Sequence, residues 1–123
     1  MALYETTFIA RQDISQADVN KISEAFTGII KNNGGKVVKN EYWGLRSMAY
    51  KINKNKKGHY VLLGLDAPVA AVKELERNIK LNEDVIRHLT IKVEEIEEGP
   101  SAIMNSSKDD VLPEFSSDDD YIG

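Results

Sequence analysis

Cysteine is absent from this 123-residue chain. That excludes disulfides, thiolate metal sites and thiol nucleophiles, and it fits a reducing compartment. Histidine is scarce. His59 and His88 are the only two, and neither has the H-x-E or H-E-x-x-H spacing of a metal site. Both fall in predicted strands and read as partly buried sheet residues. No apolar run approaches the roughly 20 residues of a membrane helix. The opening MALYETTFIARQD has too short an apolar stretch, and no basic leader, for a signal peptide. Gly34-Gly35 closes a predicted helix rather than opening one, so it is no phosphate-cradling loop. Glu94, Glu95, Glu97 and Glu98 form a run that reads as a solvated face, not a cation site. No catalytic group, metal, cofactor, small-molecule substrate or membrane partner is assigned.

What is present bounds one compact domain with a tail. A hydrophobic fraction of 41% supplies a modest core. The net charge of −4 hides an asymmetry. Residues 1–93 carry 15 Lys+Arg against 10 Asp+Glu, and residues 94–123 carry one Lys against 10 Asp+Glu. A mildly basic domain therefore precedes a strongly acidic segment. The expected division is a folded domain over 1–98 and an acidic, disordered tail over 99–123. The tail's Ser, Asp and Asn with scattered Ile, Leu and Phe bury too little apolar area to offset ordering entropy.

Alternation over 3–10, LYETTFIA, predicts a first strand. Ser15 and Asp18 predict a helix N-cap with an acidic first turn. Val19, Ile22, Phe26, Ile29 and Ile30 then recur at helical spacing, until Gly34-Gly35 ends the helix. A second strand runs over 36–52, interrupted by Trp43-Gly44. The Lys- and Asn-rich stretch 53–58 reads as a turn, and 59–65 as a third strand. Asp66 and Pro68 start a second helix, with Val72, Leu75 and Ile79 on its buried stripe. A fourth strand spans 85–93. The order strand, helix, strand, strand, helix, strand predicts an α+β, ferredoxin-like split βαβ fold. Its four-stranded antiparallel sheet should carry both helices on one face, because each crossover is right-handed.

The uncovered face should alternate to polar, and it does not. Leu3 and Ile9 oppose Thr6, Phe8 and Ala10 in the first strand. Tyr60 and Leu62 oppose Val61, Leu63 and Leu65 in the third. In the fourth, Val85, Leu89, Ile91 and Val93 are expected on one face and Ile86 on the other. An apolar open face on a small domain marks a docking surface. Leu3, Ile9, Tyr50, Tyr60, Leu62, Leu89 and Ile91 are its candidate partner-binding residues.

A second candidate surface is basic. Arg46, Lys51, Lys54, Lys56 and Lys57 cluster on the hairpin, with Arg87 and Lys92 on the fourth strand. Such lysines attract phosphate from a flexible perch. They can equally blunt a sheet edge against aggregation. The third strand, HYVLLGL, lacks the glycine- and aromatic-rich signature of an RNA-recognition motif, so base stacking on the sheet is not expected.

Together, Tyr4-Glu5, Gly34-Gly35, Trp43-Gly44-Leu45-Arg46 with Ala49-Tyr50, Gly58-His59-Tyr60, and the run LNEDVIR over 81–87 carry a resemblance. The chain resembles the family of bacterial ribosomal protein six of the small subunit, over about residues 2–95. Lys51 departs from the family's usual proline after Ala-Tyr. The resemblance implies a ferredoxin-like fold, no enzymatic activity and a place in the cytoplasmic ribosome. It also implies a monomer before assembly. That monomer pairs with ribosomal protein eighteen of the small subunit, and the two jointly bind small-subunit ribosomal RNA. Arg46, Lys54, Lys56, Lys57 and Arg87 are then the expected RNA contacts, and Trp43 is expected to pack rather than stack on a base. The alternative, from a different class, is a ferredoxin-like regulatory or ligand-binding module that homodimerises through its sheet.

Overall fold

The structure, a computed structural model, describes residues 2–52 and 55–96, with backbone alone at 49–52 and 55. Lys54 and the expected tail at 99–123 lie outside the described residues, as does the Tyr50 side chain. The elements are β1 (Ala2–Arg11), α1 (Gln16–Asn32), β2 (Lys36–Ile52), β3 (Asn55–Ala67), α2 (Val69–Leu81) and β4 (Val85–Val93). They form the expected ferredoxin-like sheet, ordered β2-β3-β1-β4, with every neighbouring pair antiparallel.

Local chemistry explains the element ends. The Ser15 hydroxyl accepts from the Asp18 amide at 3.1 Å, satisfying an orphan donor at the start of α1. At the other end Gly34 adopts φ +88, which a residue with a Cβ rarely tolerates. The Gly34 amide donates to Lys31 O and the Gly35 amide to Ile30 O, the paired bonds of a Schellman cap. Pro68 occupies the N-cap position of α2 rather than its first turn, and its carbonyl accepts from Ala71 and Val72.

The third strand is longer than expected. β3 starts at Asn55, so Lys56 and Lys57 are strand residues rather than turn residues. Ladder pairing explains this: Lys57 lies opposite Ser47 and Gly58 opposite Arg46, and the Lys57 amide also donates to Gln12 Oε1. Gly58 is needed for close approach, because a Cβ there would collide with Ile9 Cγ2.

Both helices cover one face. Phe8, Ala10, Val61, Leu63 and Leu65 of the sheet meet Val19, Ile22, Phe26, Ile30, Val72, Leu75 and Ile79 of the helices. Phe8 and Phe26 pack edge to face, with ring centroids 5.2 Å apart. Thr6 and Thr90 share a buried hydroxyl–hydroxyl bond of 2.9 Å on this face. His59 reaches the same layer. Its Nδ1 pairs with the Tyr42 hydroxyl and its Nε2 with Ile14 O, both at 2.8 Å. That ties β2, β3 and the β1–α1 loop together.

One face assignment needs correction. Strict alternation would place Val85 with Leu89 and set Ile86 opposite. Instead β4 pairs Arg87 with Ile9 but Val85 with Ala10. This bulge absorbs one extra residue and flips the strand's start. Val85 therefore packs into the helix-covered core, and Ile86 packs on the open face.

Candidate protein and nucleic-acid interface

The uncovered face has two unlike halves. Towards the β2–β3 hairpin, Ile9, Trp43, Met48, Tyr60 and Leu62 form a second buried cluster. A bulge between Tyr42 and Gly44 inserts Trp43, and Gly44 takes φ +94 to permit it. The indole then lies parallel to Tyr60, with centroids 6.2 Å apart and planes 15° from parallel. Trp43 Nε1 donates to Glu41 Oε1 at 3.0 Å, and the other carboxylate oxygen meets Lys39 Nζ at 3.5 Å. The indole packs against its own sheet, as expected. Burial raises the pKa of Tyr60, and likewise of Tyr42, so both phenols stay neutral at physiological pH.

Arg46 sits in this half and corrects an expectation. It was placed among surface cations reaching for phosphate. Instead it is 2% exposed, and its Nε donates to Trp43 O at 2.7 Å. A guanidinium can satisfy a carbonyl at a bulge while its methylene stem packs against apolar neighbours. Arg46 locks the bulge; its head group is not presented to solvent.

Ile9, Tyr60 and Leu62 are likewise sealed among their own neighbours, with Tyr60 only 3% exposed. They support the face from beneath. The other half is open. Leu3 and Val93, Glu5 and Ile91, and Thr7 and Leu89 face one another across β1 and β4. Leu3, Leu89, Ile91 and Val93 are all half-buried, which leaves an apolar strip along that edge. Arg87 follows Leu89 by alternation, opposite Ile9.

The basic residues converge by register. Arg87 lies level with Ile9, and Ile9 with Tyr60. Lys56 and Lys57 are exposed just beyond, where β3 begins. Arg11 at this end is held by Asp84 at 2.8 Å and by Asp13 at 3.2 Å. Arg11, Lys56, Lys57 and Arg87 therefore lie towards one end of the sheet, adjoining the apolar strip through Arg87, while Lys36, Lys39 and Lys92 lie towards the other. Among the described residues no cluster of His, Cys, Asp or Glu could hold a metal ion. Nor, among the described residues, is any helix long and apolar enough to cross a membrane.

Sequence reasoning missed Met48, Glu41 and Lys39 as parts of this face. Lys39 and Glu41 alternate with Trp43 along β2, which was the available signal, whereas the bulge between Tyr42 and Gly44 brings Met48 to this face in the opposite phase.

A strand-bulged sheet with one sealed face, one half-open face and a cationic end finds its counterpart among known proteins. The family model described as Ribosomal protein S6 matches residues 3–92. The chain belongs to the ribosomal protein S6 family. It is 60% identical to the small ribosomal subunit protein bS6 of Paramagnetospirillum magneticum, over 92% of this chain and 78% of that protein. It is 52% identical to bS6 of Allorhizobium ampelinum, over 96% of this chain and 77% of that protein. The crystal structure of 30S ribosomal protein S6 from Thermotoga maritima superimposes with a TM-score of 0.71 at 27% identity. That match covers 75% of this chain and 87% of the other. Members of the S6 family are structural ribosomal proteins and not enzymes.

Proposed function

We propose that this chain is a constituent of the small subunit of the cytoplasmic ribosome, where it binds small-subunit ribosomal RNA jointly with ribosomal protein eighteen. The observation that carries this reading is the adjacency of two unlike surfaces. The half-open strip of Leu3, Leu89 and Ile91 meets Arg87, and Lys56 and Lys57 extend from the same end. An apolar strip suits a protein partner, because its burial removes hydrocarbon from water. Lysines at the end of that strip suit phosphate, because neutralising it releases counterions. Lys54 belongs to the same basic run in sequence. Before assembly the chain is a monomer whose partner strip, around Leu89 and Ile91, is unpartnered by another protein.

The test is salt dependence. The Lys54→Gln, Lys56→Gln, Lys57→Gln triple variant, with ribosomal protein eighteen, should bind the RNA more weakly. The log–log slope against salt should flatten by roughly 0.7–0.9 per lost phosphate contact. An unchanged slope would make these lysines guards of a sheet edge. A tight homodimer in sedimentation, with no affinity for protein eighteen, would favour a self-associating regulatory module instead.

A further inference from the structure

Beyond β4 the chain does not simply leave the domain. Val93 pairs with Leu3 on the sheet's outer strand, yet Ile96 lies against Gly64 in β3, two strands inward. Two strand spacings are about 10 Å, and three extended residues span about the same. Residues 94–96 therefore bend at Glu94 and bring the chain back across β1, at the level of Leu3 and Glu5, so that the Ile96 side chain reaches Gly64. They lie on the uncovered face. Gly64 pairs with Glu5 and Lys39, and Glu5 shares a face with Leu3, opposite the helix-side Tyr4 and Thr6.

Gly64 is built to receive them. A Cβ there would stand 2.9 Å from Lys39 Cβ, and 3.1 and 3.2 Å from Ile96 Cγ2 and Cδ1. The missing side chain makes a notch, and Ile96 fills it beside the Lys39 stem. Ile96 is half-buried, between the exposed Glu95 and the sheet. Glu94 and Glu95 are exposed and keep the segment's outer side solvated.

We propose that residues 94–96 are a displaceable strap, which holds the Leu3 end of the apolar strip under cover until a protein partner takes its place. This rests on the reading that the strip docks ribosomal protein eighteen. In the free chain the strap shields hydrocarbon that would otherwise invite self-association. On docking, Ile96 leaves the Gly64 notch and the partner's apolar side chains cover Leu3. The strap thereby lowers apparent affinity by the fraction of chains in which it is seated.

Two measurements on the full chain test this. In the free protein, Ile96 methyl protons should show a nuclear Overhauser effect to the Gly64 α-protons. Gly64→Ala should abolish it, because the new methyl group fills the notch. In titrations with ribosomal protein eighteen, Ile96→Ser should bind about three- to ten-fold tighter than the parent chain, the scale set by one partly buried isoleucine. Equal or weaker binding by Ile96→Ser overturns the proposal, because it makes the segment neutral or part of the docking surface. Absence of the Overhauser effect in the free chain also overturns it. If the parent chain does not bind protein eighteen at all, the pairing fails and the strap as a competitor fails with it. A persisting Overhauser effect would then mark Ile96 as a fixed part of the fold.

Discussion

On the helix-covered face, Phe8, Leu63, Leu65, Val72 and Leu75 are sealed completely beneath two helices. On the opposite face, Trp43, Tyr60 and Arg46 reach nearly the same burial with no helix above them. The first face buries hydrocarbon between layers. The second folds large side chains flat over the sheet and ties them with polar bonds, from Trp43 to Glu41 and from Arg46 to the Trp43 carbonyl. The difference shows how a two-layer domain stabilises an uncovered sheet while leaving one strip of it half-exposed. Where the side chains are long and polar-tipped, they cover themselves. Where they are short and aliphatic, as at Leu3, Leu89 and Ile91, they stay available.

The comparison predicts unequal costs. Phe8→Ala should cost most, about 3–5 kcal/mol, because it leaves a cavity between rigid layers and removes the Phe26 contact. Urea unfolding would check it, and a cost below about 1 kcal/mol would mean the helix layer is not the main core. Arg46→Met should cost less, about 1–3 kcal/mol. It keeps most of the stem's packing but strands the buried Trp43 carbonyl. The salt slope of RNA binding should be unchanged in this variant. A slope lowered by one phosphate contact would restore Arg46 to the RNA surface.

A smaller effect comes from α2. Glu76 is 8% exposed and its Oε1 is buried without a hydrogen-bond partner among the described residues. Desolvation raises its pKa above the usual 4.5, against the opposing pull of Lys80 and Lys73. Between 4.5 and the raised value the folded chain binds more protons than the unfolded chain. Stability from this group is therefore present at acid pH and lost as pH rises through that window. Glu76→Gln should raise stability at neutral pH by up to about 1 kcal/mol and remove this component of the pH dependence. Thermal melts at pH 4.5 and 7 would check it; an unchanged difference between the two would show that Glu76 is solvated.

Much of this architecture was legible in the chain itself. Periodicity at Val19–Ile22–Phe26 and Val72–Leu75–Ile79, the Ser15 cap and the Gly34 stop placed both helices. Alternation placed the strands and showed that Leu3, Ile9, Tyr60 and Leu62 leave the helix-covered face. The misreadings have physical causes. Lys56 and Lys57 looked like a turn because lysine and asparagine carry weak strand propensity, and only pairing with β2 makes them a strand. The β4 bulge left no mark, since nothing in Val85-Ile86-Arg87 distinguishes a bulged from a regular strand. Arg46 read as surface because its charge dominates the sequence view, whereas a carbonyl freed at a bulge is a tertiary fact. Ile96 was hidden within a run of glutamates, and its receiver Gly64 is 32 residues away in sequence.

The account turns on the strip at β1 and β4 being for docking rather than for folding, and Leu89→Asp tests this most directly. Measured side by side, the variant's thermal melt and its affinity for ribosomal protein eighteen should separate. Stability should change by less than about 1 kcal/mol, because the half-exposed position keeps the new carboxylate hydrated. Affinity should fall at least about ten-fold, because docking would desolvate that charge without pairing it. A folded variant with undiminished affinity would contradict the account, as would a variant that unfolds.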